Sequence, residues 1–309
     1  MLAAIVLIIV FAIGGTAWWC VYKRLPNKLI RPKRCPARST SLRSRAHGGY
    51  QTPSDAGMEY ESISVVARDG VNLAGWFIPS PEANNRTVIL LHGVGSSRTG
   101  MLPTAKLLHT NGYNTLMYDS RASGESGGEF CTYGFLEKYD LVSVIDMLVY
   151  DILPAPKNAG EGHIGLLGFS MGAAVALQAA AIEPFIRCVI AESGFLDLNT
   201  VAYDYLERHV GVRWKCIHDT ALRTAERIAH FSVKDVSPLE SVKKLHAPVL
   251  FIHGTEDRTV KPVYSQKLYD ACSSMKELYM IEGAHHIDLY ETAGETYNTK
   301  RIEFFNRYL

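Results

Sequence analysis

The chain has 309 residues, enough for one large domain, and its 47% hydrophobic and 20% charged content is typical of a globular protein. Its formal charge of +1 conceals a division of charge along the chain. Nine basic residues lie between Lys23 and Arg45, and the first acidic residue is Asp55. From that residue on, 23 Lys and Arg face 31 Asp and Glu, a formal charge of −8. An acidic body excludes nucleic acid as the expected partner, because such binding needs a basic face.

Residues 1–22 hold no charged side chain and are rich in Ile, Val, Leu and Ala. About 20 such residues are enough for a helix to cross a bilayer. Trp18, Trp19 and Tyr22 cluster at the end of this run, where amphipathic rings favour the membrane interface. A cleaved signal peptide would need a basic segment before the apolar run, which here starts at the second residue. The sequence therefore predicts a single transmembrane anchor that is not cleaved.

Residues 23–57 are basic, contain Pro, Ser and Gly, and lack apolar periodicity. We interpret them as a linker that can lie on anionic lipid. Positive charge directly after a membrane span favours the cytoplasmic side, so the domain at 58–309 is expected to face the cytoplasm. The six cysteines have no paired spacing, and no CxxC or HExxH motif is present. The sequence thus predicts neither a metal nor an organic cofactor.

From Glu59 on, short apolar runs alternate with longer helical patterns. Two β-rich runs on either side of Asp69-Gly70 predict an opening hairpin, and six further runs predict strands. Alternating strands and helices indicate a mostly parallel, eight-stranded sheet covered by helices on both faces. The predicted strands are 62–67, 73–78, 87–91, 115–118, 164–168, 188–191, 249–253 and 277–281, and the helices lie near 99–110, 136–150, 171–182, 262–273 and 293–308.

Residues 196–237 interrupt this alternation with two amphipathic patterns and no clear strand. Insertions of this length between two strands often cover a functional site. We interpret the insertion as a small helical cap over the site. The alternative is an ordinary pair of crossover helices without a gating role, because gating is not visible in one sequence.

The run from Gly168 to Gly172, Gly-Phe-Ser-Met-Gly, lies between a predicted strand and an Ala-rich helical pattern. A nucleophilic serine on a sharp strand-to-helix turn needs glycines two positions before and after it, because larger side chains would clash. The pattern alone also occurs by chance, and the simpler interpretation is a tight turn with a capping serine. The strand–turn–helix setting favours Ser170 as a nucleophile.

A glycine-rich turn, His92-Gly-Val-Gly95, follows the predicted strand 87–91. Such a turn can direct a backbone N–H at a developing oxyanion. The expected donors are the N–H groups of Val94 and of Met171, the residue after the serine. A phosphate-binding loop is the alternative, but neither GxGxxG nor GxxxxGK[ST] is present.

Candidates for the acid and the base follow later predicted strands. Asp257 comes after the strand 249–253, at the edge where open α/β sheets bind ligands, and could orient a catalytic imidazole. Glu192, after another strand, is the alternate acid. His285 and His286 follow the last strand, and one of them is the expected general base.

With these motifs in place, residues 59–309 resemble the α/β-hydrolase superfamily, and within it the prolyl-oligopeptidase-related branch of small membrane-anchored serine hydrolases. The resemblance rests on Leu-His-Gly at 91–93, Tyr-Asp-Ser-Arg at 118–121, Gly-Glu-Ser at 124–126, Gly-Phe-Ser-Met-Gly at 168–172, Pro-Val-Leu-Phe-Ile-His-Gly at 248–254 and Gly-Ala-His-His at 283–286. It implies an α/β-hydrolase fold with Ser170 as nucleophile, Asp257 as acid, and Val94 and Met171 as oxyanion donors. Because the family's base usually ends a Gly-Ala-x-His pattern, the resemblance favours His286, with His285 as the alternate.

One loop departs from the family pattern. Members usually carry Asp-x-Arg-Gly-x-Gly, whereas this chain has Ala122 and Ser123 within the corresponding stretch 119–124. We expect Asp119 and Arg121 in this loop to be structural and to form an internal ion pair.

The resemblance implies acyl transfer to water without a cofactor, on an ester, thioester or amide. We expect a carboxylesterase acting on a small-molecule or lipid-like acyl substrate. The alternatives are a serine peptidase of the prolyl-oligopeptidase-related type and a non-catalytic, membrane-tethered binding protein on the same fold.

Overall fold

The computed structural model describes residues 15–16, 18–35, 49–82, 86–152, 163–211 and 214–309. The strands are β1 (Glu61–Val66), β2 (Asn72–Ile78), β3 (Thr87–Leu91), β4 (Asn114–Tyr118), β5 (Ile164–Phe169), β6 (Ile186–Glu192), β7 (Val249–Gly254) and β8 (Lys276–Ile281). In this described part of the chain, the eight strands form one sheet in the order β1-β2-β4-β3-β5-β6-β7-β8. Strand β2 pairs antiparallel with β1 and β4, and the other pairs are parallel. The predicted hairpin and mostly parallel sheet are therefore confirmed.

Helices cover both faces of the sheet, as predicted. They are α1 (Leu25–Ile30), α2 (Leu102–Thr110), α3 (Glu137–Met147), α4 (Met171–Ala180), α5 (Leu198–Val210), α6 (Lys215–Ala229), α7 (Pro238–Val242), α8 (Val263–Ala271), α9 (Leu289–Ala293) and α10 (Glu295–Tyr308). Strand β3 shows how two cores arise from one buried sheet. Its Ile89 and Leu91 pack with α3 and α4, while Val88 and Leu90 pack with α2 and α10. Successive side chains of a strand point to opposite faces, so a wholly apolar strand serves both cores.

The insertion at 196–237 contains the two amphipathic helices α5 and α6. Asp197 caps α5 by accepting a hydrogen bond from the Thr200 N–H at 2.7 Å. Asp204 of α5 accepts a hydrogen bond from Lys261 Nζ at 2.6 Å, which ties this helix to the loop after β7. Helix α5 thus lies beside the loop at the carboxyl end of β7.

A strap, which we define as residues 20–35, packs against the domain through a helical turn (Cys20–Arg24) and α1. Ile30 is fully buried in the core beside α3 and α4, and its carbonyl accepts a hydrogen bond from the Cys131 N–H at 2.8 Å. Arg34 donates to the carbonyls of Ser126 at 2.8 Å and Gly128 at 2.7 Å. The interpretation of residues 23–57 as a linker is therefore wrong for the part up to residue 35. Helix α1 is only six residues long and buries two of them, so it leaves no periodic signal in the sequence.

Most of the predicted membrane span lies outside the described residues, since the structure describes only residues 15–16 and 18–22 of it. Within the part of the chain that the structure describes, no helix is long and apolar enough to cross a membrane. Trp18 and Trp19 are exposed, and the Trp18 ring stacks on Tyr22 with 5.6 Å between ring centroids. Aromatic rings therefore project from the protein where the strap begins.

The burial of the strap predicts that Ile30→Ala will lower the free energy of unfolding by about 2–5 kcal/mol, because it opens a cavity in the core. The matched control is Ile182→Ala, where 47% of the residue is exposed, and its expected cost is about 1 kcal/mol or less. Urea unfolding of the full chain in detergent measures both variants. Equal effects of the two substitutions would show that the strap does not pack on the domain.

Candidate active site

Ser170 occupies the turn between β5 and α4 with φ +55° and ψ −112°. A positive φ is strained for a residue with a side chain, so the surroundings must hold this turn in place. A Cβ at Gly168 would lie 2.2 Å from the carbonyl oxygen of Gly172, and a Cβ at Gly172 would lie 2.1 Å from that of Leu91. Only glycine fits at either position, which is why the motif needs both glycines.

Three side chains from separate loops meet at this turn. His286 Nε2 lies 3.1 Å from Ser170 Oγ, and His286 Nδ1 lies 2.6 Å from Asp257 Oδ2. Ser170 follows β5, Asp257 follows β7 and His286 follows β8, so the carboxyl ends of parallel strands bring them to one edge of the sheet. The arrangement lets the imidazole accept the serine proton on Nε2 while Nδ1 donates to the carboxylate.

The Asp257 side chain is fully buried and accepts hydrogen bonds on both oxygens. Oδ1 accepts from the N–H groups of Thr259 at 2.7 Å and Val260 at 2.9 Å. Burial by itself would raise the pKa of Asp257, but hydrogen bonds from His253 and His286 outweigh it and hold the pKa well below its usual value. The carboxylate is therefore ionised at neutral pH.

The structure separates the two adjacent histidines. The His286 side chain is 12% exposed, and its ring lies 5.0 Å from the Phe169 ring between centroids. The His285 side chain is 58% exposed and pairs with Asp288, with 3.1 Å between Nδ1 and Oδ2. His286, rather than His285, thus lies between the serine and the carboxylate.

Glu192, the alternate acid, lies in a different set of contacts. Its carboxylate accepts a hydrogen bond from Tyr297 Oη at 2.7 Å and lies 3.6 Å from Arg301, both on α10. Burial raises the pKa of Glu192, while Arg301 and Tyr297 act in the opposite direction. Its main chain contacts the turn that holds Ser170, because its carbonyl accepts a hydrogen bond from the Ser170 N–H at 2.8 Å. The carboxylate therefore stabilises the packing of α10.

The glycine-rich loop after β3 lies against the turn that holds Ser170. A Cβ at Gly93 would come within 3.2 Å of the Phe169 ring and 3.4 Å of Ser170 Cβ. Val94 follows directly and is 40% exposed, while Met171 begins α4, where the first N–H groups have no acceptor within the helix. The residues predicted to supply oxyanion donors thus flank Ser170 from the loop and from the helix.

Buried polar contacts hold the glycine-rich loop in place. His92 Nδ1 donates to the Gly93 carbonyl at 2.9 Å, and its Nε2 accepts from the Ser120 N–H at 3.0 Å. These partners require a neutral ring, and burial lowers the pKa of His92 in agreement with this. The loop is thereby bonded to the loop that follows β4.

The prediction of an ion pair between Asp119 and Arg121 is wrong. Asp119 pairs instead with Arg98, whose N–H donates to Oδ1 at 2.7 Å and whose Nη1 lies 2.8 Å from Oδ2. Arg121 pairs with Asp140 at 2.7 Å and with Asp69 at 2.9 Å. Residues two apart in a turn point in different directions, so each finds a partner that is distant in sequence. Both remain structural, as expected.

The structure also brings His253, which the sequence prediction missed, to the same carboxylate. This histidine is the last residue but one of β7 and is fully buried, with Nε2 3.1 Å from Asp257 Oδ2. The sequence signal that could have indicated this contact is its position four residues before Asp257, near the end of an apolar strand.

Comparison with known proteins shows the family to which the chain belongs. Residues 101–309 match the model of the prolyl oligopeptidase family, Peptidase_S9. The chain belongs to this family. It is 30% identical over 254 residues to the uncharacterized protein YqkD of Bacillus subtilis (strain 168), covering 81% of this chain and 80% of YqkD. It is also 29% identical over 251 residues to the uncharacterized protein YfhR of Escherichia coli (strain K12), with coverages of 79% and 80%.

Solved structures place this prolyl oligopeptidase family member among the α/β hydrolases. The Pyrococcus furiosus esterase Pf2001 superposes with a TM-score of 0.72 at 26% identity, over 91% of this chain and 98% of the esterase. The Pyrococcus horikoshii acylaminoacyl peptidase shares the fold, with a TM-score of 0.64 at 19% identity over 82% of this chain and 42% of the peptidase. The chain is therefore a serine hydrolase of the α/β-hydrolase type. In its described residues, no three His, Cys, Asp or Glu side chains are grouped so as to hold a metal ion.

The lowered pKa of Asp257 predicts a pH dependence for the stability of this family member. Its folded pKa lies below the ordinary value of 3.8, so the stability that the ionised group contributes is present above that pH and is lost as the pH falls through the folded value. We expect the difference in unfolding free energy between wild type and Asp257→Asn to narrow below about pH 4. Urea unfolding at neutral and successively lower pH measures it, and a constant difference would contradict the lowered pKa.

Proposed function

We propose that this chain hydrolyses carboxylic esters through an acyl-enzyme formed on Ser170. The observation that carries the proposal is the continuous hydrogen-bonded line from Ser170 Oγ through His286 to Asp257, with distances of 3.1 and 2.6 Å. A serine hydroxyl is a weak nucleophile until an adjacent base takes its proton. This line gives Ser170 such a base and gives the base a partner that orients it.

The proposed reaction has two steps. Ser170 Oγ attacks the ester carbonyl, and its proton moves to His286 Nε2. The tetrahedral oxyanion accepts hydrogen bonds from the N–H groups of Val94 and Met171. As the bond to the alkoxide breaks, His286 returns the proton and the alcohol leaves. Water then attacks the acyl-enzyme with His286 as base again, which releases the carboxylic acid and restores Ser170.

Asp257 has an electrostatic and orienting role in this proposal. Its carboxylate accepts a hydrogen bond from the Nδ1–H of His286. The lone pair of the neutral ring is therefore on Nε2 and faces the serine. When His286 takes the serine proton, the ionised carboxylate stabilises the imidazolium. The lowered pKa of Asp257 supports this role because the carboxylate keeps its charge throughout.

The comparisons support an ester as the substrate more than a peptide. The relative with the 0.72 TM-score is an esterase and is matched along nearly its whole length. Peptide hydrolysis is the second candidate, because the family model is named for prolyl oligopeptidase. We propose that the acyl group of the substrate is small or lipid-like. If no ester or peptide reacts, the remaining hypothesis is a non-catalytic binding role.

We further propose that residues 1–22 anchor the enzyme in a membrane, with the domain on the cytoplasmic side. The apolar run and the basic residues after it support this orientation. The strap and cap add to the support, because Arg223 and Arg227 of α6 outnumber Glu226 in a groove that Tyr22 also lines. Basic side chains near the end of a membrane span are attracted to anionic lipid.

The proposed catalytic roles predict that a fluorophosphonate probe labels the wild-type full chain and fails to label Ser170→Ala. His286→Ala is expected to lower kcat for p-nitrophenyl butyrate by about 10⁴-fold or more, because the base is lost. His285→Ala is the matched control and should stay near wild type, since that ring is exposed and pairs with Asp288. Unchanged labelling of Ser170→Ala, or a larger loss in His285→Ala than in His286→Ala, would refute the assignment.

The proposed anchor predicts that the full chain stays in the membrane pellet after an alkaline wash, while a matched chain that starts at residue 20 and keeps the strap is released. Immunoblotting of pellet and supernatant distinguishes the two. Recovery of a processed form that begins near Trp18 would show cleavage instead of anchoring.

A further inference from the structure

Two imidazoles share one oxygen of the proposed catalytic carboxylate. Asp257 Oδ2 lies 2.6 Å from His286 Nδ1 on the serine side and 3.1 Å from His253 Nε2 on the interior side. The His253 side chain has no exposed surface, so it contacts neither solvent nor a substrate. The mechanism derived above uses only the first of these imidazoles.

The partners of His253 determine where its protons are. Nε2 faces two acceptors, Asp257 Oδ2 at 3.1 Å and the Val260 carbonyl at 3.0 Å, so Nε2 must carry a proton. Nδ1 lies 2.6 Å from the hydroxyl of Ser265, a fully buried residue of α8. The hydroxyl can donate a hydrogen bond to Nδ1, so the neutral His253 imidazole carries its proton on Nε2.

We propose that His253, oriented by Ser265, is a positioning residue for the carboxylate that holds the catalytic base. This inference rests on the proposed roles of Ser170, His286 and Asp257. The hydrogen-bonded line then runs from Ser265 through His253 and Asp257 to His286 and Ser170, from the interior of the domain to its surface.

The shared oxygen has two physical consequences. Oδ1 is fixed by the main-chain N–H groups of Thr259 and Val260, and His253 fixes Oδ2, so the carboxylate has no freedom to turn away from His286. The second donor also takes up part of the negative charge on Oδ2. Asp257 therefore holds protonated His286 less strongly than an oxygen with a single donor would, and the base more readily returns its proton to the leaving group.

Within the described residues, the groups recorded in contact with the His286 ring are the Asp257 carboxylate from the loop after β7, the Ser170 hydroxyl from the turn after β5 and the Phe169 ring. On its own loop, His285 and Asp288 pair with each other. His253 itself faces Asp257 and, from α8, the Ser265 hydroxyl. A change in His253 therefore reaches His286 through Asp257.

The test compares His253→Leu with His253→Gln in the full chain, using p-nitrophenyl butyrate. His253→Leu removes the donor, and we expect kcat to fall about 10- to 100-fold, the scale of losing one hydrogen bond to a charged group, with KM unchanged. The acidic limb of the pH profile of kcat/KM should move to higher pH, because the more basic carboxylate stabilises protonated His286. His253→Gln offers an amide donor in place of Nε2–H and should recover part of kcat.

A matched control is His246→Leu, the same change at an exposed histidine, which should leave kcat and the pH profile unchanged. Thermal unfolding establishes that each variant is folded. If His253→Leu does not fold, the comparison moves to Ser265→Ala and His253→Gln, for which smaller shifts of the same direction are expected. A folded variant of His253 or Ser265 with wild-type kcat and an unmoved acidic limb would overturn the proposal.

A second measurement needs no variant and no activity. In ¹⁵N-histidine NMR spectra of the wild type at neutral pH, His253 Nε2 is expected to carry a proton, because it faces two acceptors. An unprotonated Nε2 would overturn the inference even in an active enzyme. If the fluorophosphonate probe does not label wild type, the proposed function fails, whereas normal wild-type activity with unaffected His253 variants rejects this inference alone.

Discussion

The arrangement of the candidate site depends on one buried charge. A carboxylate without exposed surface is costly unless hydrogen bonds replace the lost water. Asp257 meets this requirement with two main-chain N–H groups on one oxygen and two imidazoles on the other. The same donors that make burial of the charge possible also fix the direction in which it faces. The stability of this loop and the orientation of the proposed base therefore have a common origin.

The sheet supplies the second constraint, because it joins residues that are far apart in sequence. Ser170 and His286 are separated by 116 positions, yet their side chains lie 3.1 Å apart. Parallel strands β5, β6, β7 and β8 lie side by side, and the loops after three of them carry the three side chains. Helices on both faces bury all of β7 and all but one residue each of β5 and β6, while β8 is mostly half-buried, so the end of the sheet at which the loops meet is held in place. Functional groups on a rigid edge keep their geometry better than groups on free loops.

Much of the fold and of the candidate site could be predicted from the sequence. Continuous apolar runs indicate buried strands, and glycines mark the turns that follow them, so both are local signals. The strands and helices lie within a few residues of their predicted positions, and Ser170, Asp257 and His286 could be singled out from motifs. The packing of the strap could not be predicted, because one short helix with two buried residues shows no periodic spacing of apolar residues. The partners of Asp119 and Arg121 were also missed, since they come from β-hairpin and helix positions up to 52 residues away. His253 lies within an apolar strand, so its polar contacts are visible only in three dimensions.

The strap changes how the proposed membrane attachment would act. From Cys20 to Ile30 the chain is helical, and three more residues reach Lys33, whose carbonyl lies 3.9 Å from a Cβ position at Gly95 in the glycine-rich loop. Helical rise and extended reach together limit this path to about 26 Å. Because the path is packed on the domain, it acts as a short stiff arm, whereas the same residues as a flexible tether could extend to about 45 Å. A domain held by the proposed anchor on such an arm would keep its candidate site within this short distance of the bilayer surface, beside acyl compounds dissolved in the lipid.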